Sequence, residues 1–301
     1  MKTSTSKRLR WNVAIWLAAG LFMTSTAGMA SGPIMPDPKA EARHQPQVEE
    51  TANGIPLVNI TAPSSGGVSR NEYETFNVPD KGAILNNSYT LSKTELAGYV
   101  QGNNNMAERL AKIIVNEVTG AGSTSMDGFL EVAGNRADVV IANPNGITVN
   151  GGGFINTGKA FLTTGKPVYD GKDHLQRFDI TGGDILIEGK GLGGKETGSL
   201  AILSRAVKIN AGIWAKDLHI TTGANTVDAK TLEASAIEGK GGRPAFALDT
   251  AAIGGMYAGR ITLVGTEKGL GVNNSGTWSA EDNLTLDWNG DLKNSGTIYS
   301  K

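Results

Sequence analysis

The chain has 301 residues, with 41 Gly, 23 Asn and no Cys, and its 28 Lys+Arg against 29 Asp+Glu leave a net charge of −1. That balance lacks the basic excess of a bulk nucleic-acid binder, and the missing thiols exclude disulfide scaffolds, Cys-ligated zinc and thiol catalysis. A 39% hydrophobic share excludes a wholly disordered chain, and abundant Gly and Asn with few aromatics point to many tight turns between short strands.

Lys2, Lys7, Arg8 and Arg10 precede an eleven-residue apolar run, Val13 to Met23. Small residues follow, with Gly28 and Ala30 at the −3 and −1 positions of a cut between Ala30 and Ser31. This is the layout of a secretory signal peptide over residues 1–30, and it implies handling by the Sec machinery. The apolar run is too short for the ~20 residues that span a bilayer. Residues 31–55 hold Pro33, Pro36, Pro38 and Pro46 among polar and charged residues. They are expected to form a flexible mature N-terminus.

From Ile55 onward, short alternating runs are punctuated by Gly and Asn. Asn103-Asn104-Asn105-Met106 opens an ambiguous segment: Met106, Leu110, Ile113 and Ile114 are spaced as on a helix face, yet Ile113-Ile114-Val115 is β-branched. A short turn near Met106 and a strand over about 112–118 are expected. Asn143-Pro144-Asn145-Gly146 suits the four positions of a type I turn. Pro144 fixes φ there, and Ile147 and Val149 restart an inward face. Period-two spacing places Ile185 with Ile187, Val207 with Ile209, Ile261 with Leu263, and Leu284, Leu286 and Trp288 on single sheet faces.

The C-terminal end carries a repeat. Asn274-Ser275-Gly276-Thr277 recurs as Asn294-Ser295-Gly296-Thr297, twenty residues later. That period suggests coils of a parallel β-helix, stacked ~4.8 Å apart, with inward apolar columns and Asn amides laddering between coils. Two copies alone are also what two unrelated turns would give.

Chemistry-bearing patterns are sparse. His44, His174 and His219 lack any metal-ligand spacing and read as exposed strand or loop residues. Gly189–Lys195 mimics a phosphate loop, but Glu196 stands where Ser or Thr would bind magnesium, so it reads as a glycine-rich turn. Asp170, Asp173, Asp179 and Asp184 are the densest carboxylates, and two of them at the right separation are what glycoside hydrolysis needs; solvated loop charges are the plainer reading. No catalytic residue, metal or cofactor is assigned.

The stretch Phe76–Ser88 (FNVPDKGAILNNS) resembles the opening of the secretion domain of two-partner secretion exoproteins, the family of filamentous haemagglutinins, large haemolysins and contact-dependent growth inhibition toxins. Phe129–Pro167 is similar to the family signature over nearly forty consecutive residues. Asn143-Pro144-Asn145-Gly146-Ile147 stands at the family's NPNG motif. Asn103-Asn104-Asn105-Met106 stands at its NPNL motif, with Asn104 for Pro and Met106 for Leu. Some members carry a Cys pair just after NPNG; Val149 and Gly152 occupy those places here.

The resemblance implies an all-β, right-handed parallel β-helix with an N-terminal cap and short antiparallel strands outside the helix. Residues 56–270 are then the secretion domain and 271–301 the start of a β-helix repeat region. It also implies recognition in the periplasm by an outer-membrane transporter of the Omp85/POTRA type, secretion to the cell surface or beyond, and contact with host or neighbouring cells through regions beyond Lys301. No nucleic-acid partner is expected. The two Asn motifs serve either to shape corners, with recognition following from that shape, or to touch the partner directly. A surface adhesin acting through this segment and a carbohydrate-active β-helix enzyme are the competing readings.

Overall fold

Alternating side chains decide what faces inward, and turn residues decide where the chain bends; together they wind it into a parallel β-helix. A computed structural model describes residues 32–106 and 109–301, and the expected signal peptide with its Ala30–Ser31 cut lies outside them. The described chain is almost entirely strand, with single-turn 3-10 helices at Ala42–His44 and Asn104–Met106. The second of these is the turn expected near Met106, and the strand Ile113–Val118 follows it.

Each coil crosses three faces. One coil runs through Phe129–Gly134, Ala137–Ala142 and Ile147–Val149, and the next through Gly152–Ile155, Thr157–Thr163 and Asp184–Ile187. Corresponding strands pair in parallel, with Phe129 opposite Gly153, Val140 opposite Phe161 and Ile147 opposite Ile185. Further along, the long strand Gly212–Thr222 serves two faces at once: its start pairs with Leu192–Gly194 and its end with Ser199–Ser204. Gly255–Gly265 and Thr277–Trp288 repeat this arrangement.

The inward columns form one continuous core. On the third face Ile147, Ile185, Val207, Leu248 and Val272 stand in register, all buried. Each such side chain contributes ~1.5–3 kcal/mol of burial. Leu284, Leu286 and Trp288 pack half-buried against the same core. Asn side chains ladder as expected: Asn274 Nδ2 donates to Asn294 Oδ1 at 2.8 Å and Asn86 Nδ2 to Asn59 Oδ1 at 2.8 Å.

The C-terminal repeat has a steric basis. Gly254, Gly276 and Gly296 occupy one corner of successive coils. A Cβ on Gly276 would overlap the Gly254 carbonyl oxygen, and one on Gly296 would overlap that of Gly276. Those carbonyls accept the N–H groups of Thr277 (3.2 Å) and Thr297 (2.8 Å). The backbones therefore approach too closely for any side chain at these positions.

Residues 31–55 do not form the flexible tail expected of them. Ile34–Pro36 pairs antiparallel with Val68–Phe76, and Gln47–Glu50 with Pro56–Asn59, as the cap of the solenoid. Proline content misled here because the prolines sit where no ladder donor is needed, Pro36 on an edge strand and Pro33 outside it, offering its carbonyl to Asn77 N–H. Ile34 is buried and Val48 packs on the core. The boundary expected at 270 marks no change either: Gly271–Asn274 continues the coil pattern set by Phe246–Thr250.

Antiparallel strands lie outside the helix, as expected. Lys166–Tyr169, Leu175–Ile180, Asn225–Asp228 and Ala234–Ala236 form a small sheet, whose Phe178, Ile180 and Val227 pack on Phe161, Ala201 and Leu203. Ser92–Thr94 and Gly98–Val100 form a separate hairpin.

The corner geometry makes a direct prediction. Gly276→Ala lowers unfolding stability by several kcal/mol in urea titration, on the scale of severe overpacking. Gly171→Ala, at an exposed turn where an added Cβ meets only open space, changes it by less than about 0.5 kcal/mol.

Candidate functional site: two asparagine corners

The two Asn motifs build the same corner twice. In the first, the Asn143 carbonyl accepts Gly146 N–H at 3.1 Å, closing the four-residue turn, while Asn143 Oδ1 accepts Asn145 N–H at 2.9 Å. The Asn143 amide then reaches the preceding coil, donating to the Gly122 carbonyl and to Thr124 Oγ1, each at 3.0 Å. Asn145 Nδ2 donates to the Gly120 carbonyl at 2.8 Å. Gly146 takes φ +113°, and Ile147 returns the chain to the core.

The second corner follows the same plan. The Asn103 carbonyl accepts Met106 N–H at 3.2 Å, and Asn103 Oδ1 accepts Asn105 N–H at 2.9 Å. Asn103 Nδ2 donates to the carbonyls of Ile60 and Asn86, each at 2.9 Å, and Asn105 Nδ2 to that of Ile60 at 3.2 Å. Met106 is wholly buried as the apolar anchor. Asn104, where the resemblance has Pro, is exposed, and its N–H has no acceptor among the described residues. The second corner binds the carbonyls of residues 60 and 86, the first those of residues 120 and 122 with the Thr124 hydroxyl, so the motifs fasten different coils.

Of these residues, Asn143 and Asn103 are buried, whereas Pro144, Asn145 and Asn104 are exposed. Asn145, Gly146 and Ile147 border a groove of about 490 Å3 whose far wall carries Asp184, Leu186 and Lys208. On that wall Lys208 Nζ lies 3.7 Å from Asp184 Oδ2.

The four carboxylates singled out in the sequence have different partners. Asp170 bonds His174 Nδ1 at 2.9 Å, Asp173 bonds Arg43, Asp179 bonds Arg177, and Asp184 faces Lys208. Backbone N–H groups of His174 and Lys172 hold the Asp170 carboxyl below its ordinary range. Leu192–Gly194, inside the phosphate-loop mimic, is a strand of the first face.

A buried polar cluster beneath the cap escaped sequence reasoning. His44, read as exposed, is 4% exposed, with Nδ1 at 3.0 Å from Glu72 Oε1. Arg70 bonds the same Glu72 oxygen at 2.9 Å, lies 3.4 Å from Glu117 and stands over the Tyr169 ring at 4.4 Å. Burial pushes the Glu117 carboxyl up, against the pull of Arg70. The cluster ties the cap, the first two strands of the second face and the outer sheet together. Its members are spread from 44 to 169, so no local spacing announces it.

Comparison with known proteins gives a consistent set of likenesses. A family model described as the TPS secretion domain matches residues 33–298. The chain is 46% identical over 274 residues to Toxin CdiA of Yersinia pestis and 44% identical over 276 residues to 16S rRNA endonuclease CdiA of Enterobacter cloacae. Each alignment covers 90% of this chain and 8% of the relative. A crystal structure of the filamentous hemagglutinin secretion domain superposes with a TM-score of 0.77 at 32% identity, covering 89% of this chain and 95% of that one. The chain thus spans about 8% of the length of the curated relatives it matches.

Both corners predict measurable stabilities. Asn143→Ala and Asn103→Ala each strip a buried amide of its bonds and strand the carbonyls it served, lowering stability by about 3 kcal/mol in urea titration. Asn104→Pro fixes an already turn-like φ at no hydrogen-bond loss and raises stability by about 0.5 kcal/mol.

Proposed function

The chain belongs to the TPS secretion domain family, and on that premise we propose that it carries a large exoprotein across the outer membrane. The match along residues 33–298, nearly the whole described chain, is the observation that carries this reading. A Sec-type signal over residues 1–30 delivers the chain to the periplasm. There the domain engages an outer-membrane transporter of the Omp85/POTRA type while still extended enough to add strands to an exposed sheet edge. Outside, the cap and first coils fold, and each later coil needs only the one before it. A folded coil cannot slip back through a pore, so folding supplies direction without ATP.

The nuclease names of the relatives describe those proteins, and this chain corresponds to a small part of them. We assign no reaction to the segment. The separate pairing of Asp170, Asp173, Asp179 and Asp184 supports a non-enzymatic reading, and no observation favours the hydrolase or direct-adhesin alternatives.

In this scheme Asn143 and Asn103 act by making corners, and of the first motif only Pro144 and Asn145 stay exposed once the corner has closed. The test is secretion of residues 1–301 with and without the cognate transporter, read as mature protein in the medium. Transporter-dependent release is expected, with loss on Asn143→Ala plus Asn145→Ala. Ile187→Pro, in a core strand of the third face, slows release while leaving signal cleavage at its normal rate. Folded protein retained in the periplasm of both strains overturns the proposal.

A further inference from the structure

Asn-Gly pairs stand at Asn53-Gly54, Asn145-Gly146, Asn150-Gly151 and Asn289-Gly290. All four asparagines are exposed, so exposure does not set one apart. Hydrogen bonding does. Gly54 N–H donates to the Thr51 carbonyl at 2.9 Å, Gly146 N–H to that of Asn143 at 3.1 Å, and Gly151 N–H to that of Gly191 at 2.9 Å. The asparagine side chain of each of these pairs is held as well. Asn53 Nδ2 donates to the Leu96 carbonyl at 2.9 Å and Asn145 Nδ2 to that of Gly120 at 2.8 Å, while Asn150 Oδ1 accepts Lys190 N–H at 3.2 Å.

Asn289-Gly290 has neither restraint. It turns the corner between the strands Thr277–Trp288 and Leu292–Asn294. Among the described residues, Gly290 N–H has no acceptor and the Asn289 side chain makes no hydrogen bond. The main chain there is nonetheless tightly placed. The Asn289 carbonyl accepts Gly269 N–H from the coil below at 2.8 Å. A Cβ on Gly290 would overlap the Leu270 carbonyl, which also accepts the Trp288 indole N–H at 2.8 Å.

We propose that Asn289-Gly290 is a self-modifying site, at which the asparagine closes to a succinimide and opens to isoaspartate. The Gly290 nitrogen attacks Asn289 Cγ, and no Cβ on residue 290 shields it. A bond forms between that nitrogen and Cγ, the Cγ–Nδ2 bond breaks, and ammonia leaves with the Gly290 amide proton. Water then opens the ring. Attack at Cγ gives aspartate, and attack at the main-chain carbonyl gives isoaspartate. The balance is one water consumed and one ammonia released, with no change of oxidation state. Ring closure needs a free side chain and uses up the glycine N–H. At the other three pairs it breaks a backbone hydrogen bond and pulls the side chain from its partner, whereas at Asn289 it breaks none.

The product acts on the corner. In isoaspartate the main chain runs through the former side chain and is one methylene longer. The carbonyl that accepted Gly269 N–H becomes a free carboxylate, between the exposed Asp287 and Asp291. A longer backbone has no room against the Leu270 carbonyl, so the corner opens. Aspartate, with the original chain length, leaves it closed. This site lies apart from the asparagine motifs and does not depend on the secretion reading.

The competing account is that all four pairs react alike, as their shared sequence would dictate. The mature protein is incubated in warm, mildly alkaline buffer, with and without denaturing urea. Peptide mapping by mass spectrometry follows amide loss at each pair, and a protein isoaspartyl methyltransferase labels isoaspartate. In the folded protein Asn289 is expected to convert at least about tenfold faster than Asn53, Asn145 or Asn150, the scale set by the hydrogen bonds those three must break. In urea the four rates converge. Equal rates in the folded protein overturn the proposal, as does a difference that persists unchanged in urea. Hydrogen exchange tests the consequence. Gly269 N–H loses protection in the isoaspartate form and keeps it in Asn289→Asp, and unchanged protection in the isoaspartate form overturns the opening of the corner.

Discussion

Everything in this fold depends on how closely one coil lies on the next. Parallel strands fix the spacing along the faces, but the corners must match it with backbone that has no regular ladder to follow. Two devices achieve this. Where the backbones nearly touch, as at Gly254, Gly276 and Gly296, no side chain fits, and the Gly254 and Gly276 carbonyls accept the N–H groups of Thr277 and Thr297 directly. Where a gap remains, an Asn amide spans it, as Asn143 does to the carbonyl of Gly122 and Asn103 to those of Ile60 and Asn86. Asparagine suits the task because one side chain supplies an acceptor for its own turn and two donors for the neighbouring coil.

A stack of this kind has no intrinsic starting point, and the cap supplies one. Ile34–Pro36 and Gln47–Glu50 run antiparallel to the coils and occupy the edges on which a preceding coil would otherwise add. The buried cluster of His44, Arg70, Glu72 and Glu117 then fixes the cap to the first strands, and through Tyr169 and Asp173 to the outer sheet. Ion pairs buried this way add little stability by themselves, but the Arg70–Glu72 contact at 2.9 Å forms in one arrangement of these segments.

The parts legible in the sequence were those with a local signature. Period-two pairs such as Ile185 with Ile187 and Val207 with Ile209 lie inside as their spacing implies, and the twenty-residue recurrence of Asn-Ser-Gly-Thr marks equivalent corners in register. The β-branched run at Ile113 outweighed the helical spacing of Met106 and Leu110, because burial between two parallel neighbours rewards branched side chains. Illegible parts were non-local. Residues 34–50 read as a tail because their composition was averaged over prolines whose missing donors fall on an edge. His44 read as exposed because its carboxylate partners lie at positions 72 and 173.

The geometry of the corners also constrains how such a motif can be read by another protein. Asn143 has no exposed surface once the coil has closed, and its amide is fully engaged by Gly122 and Thr124. Pro144 and Asn145 face solvent, but Asn145 already spends its amide on the Gly120 carbonyl. A partner that contacts Asn143 directly must therefore meet the chain before this corner forms. A partner that meets the folded corner reads Pro144, one edge of Asn145 and the groove beside them, whatever holds the turn in place. Substituting the buried Asn disturbs both encounters, whereas substituting Pro144 by a residue with compatible φ disturbs mainly the second. The burial of one asparagine thus converts a question about recognition into one about the order of folding and binding.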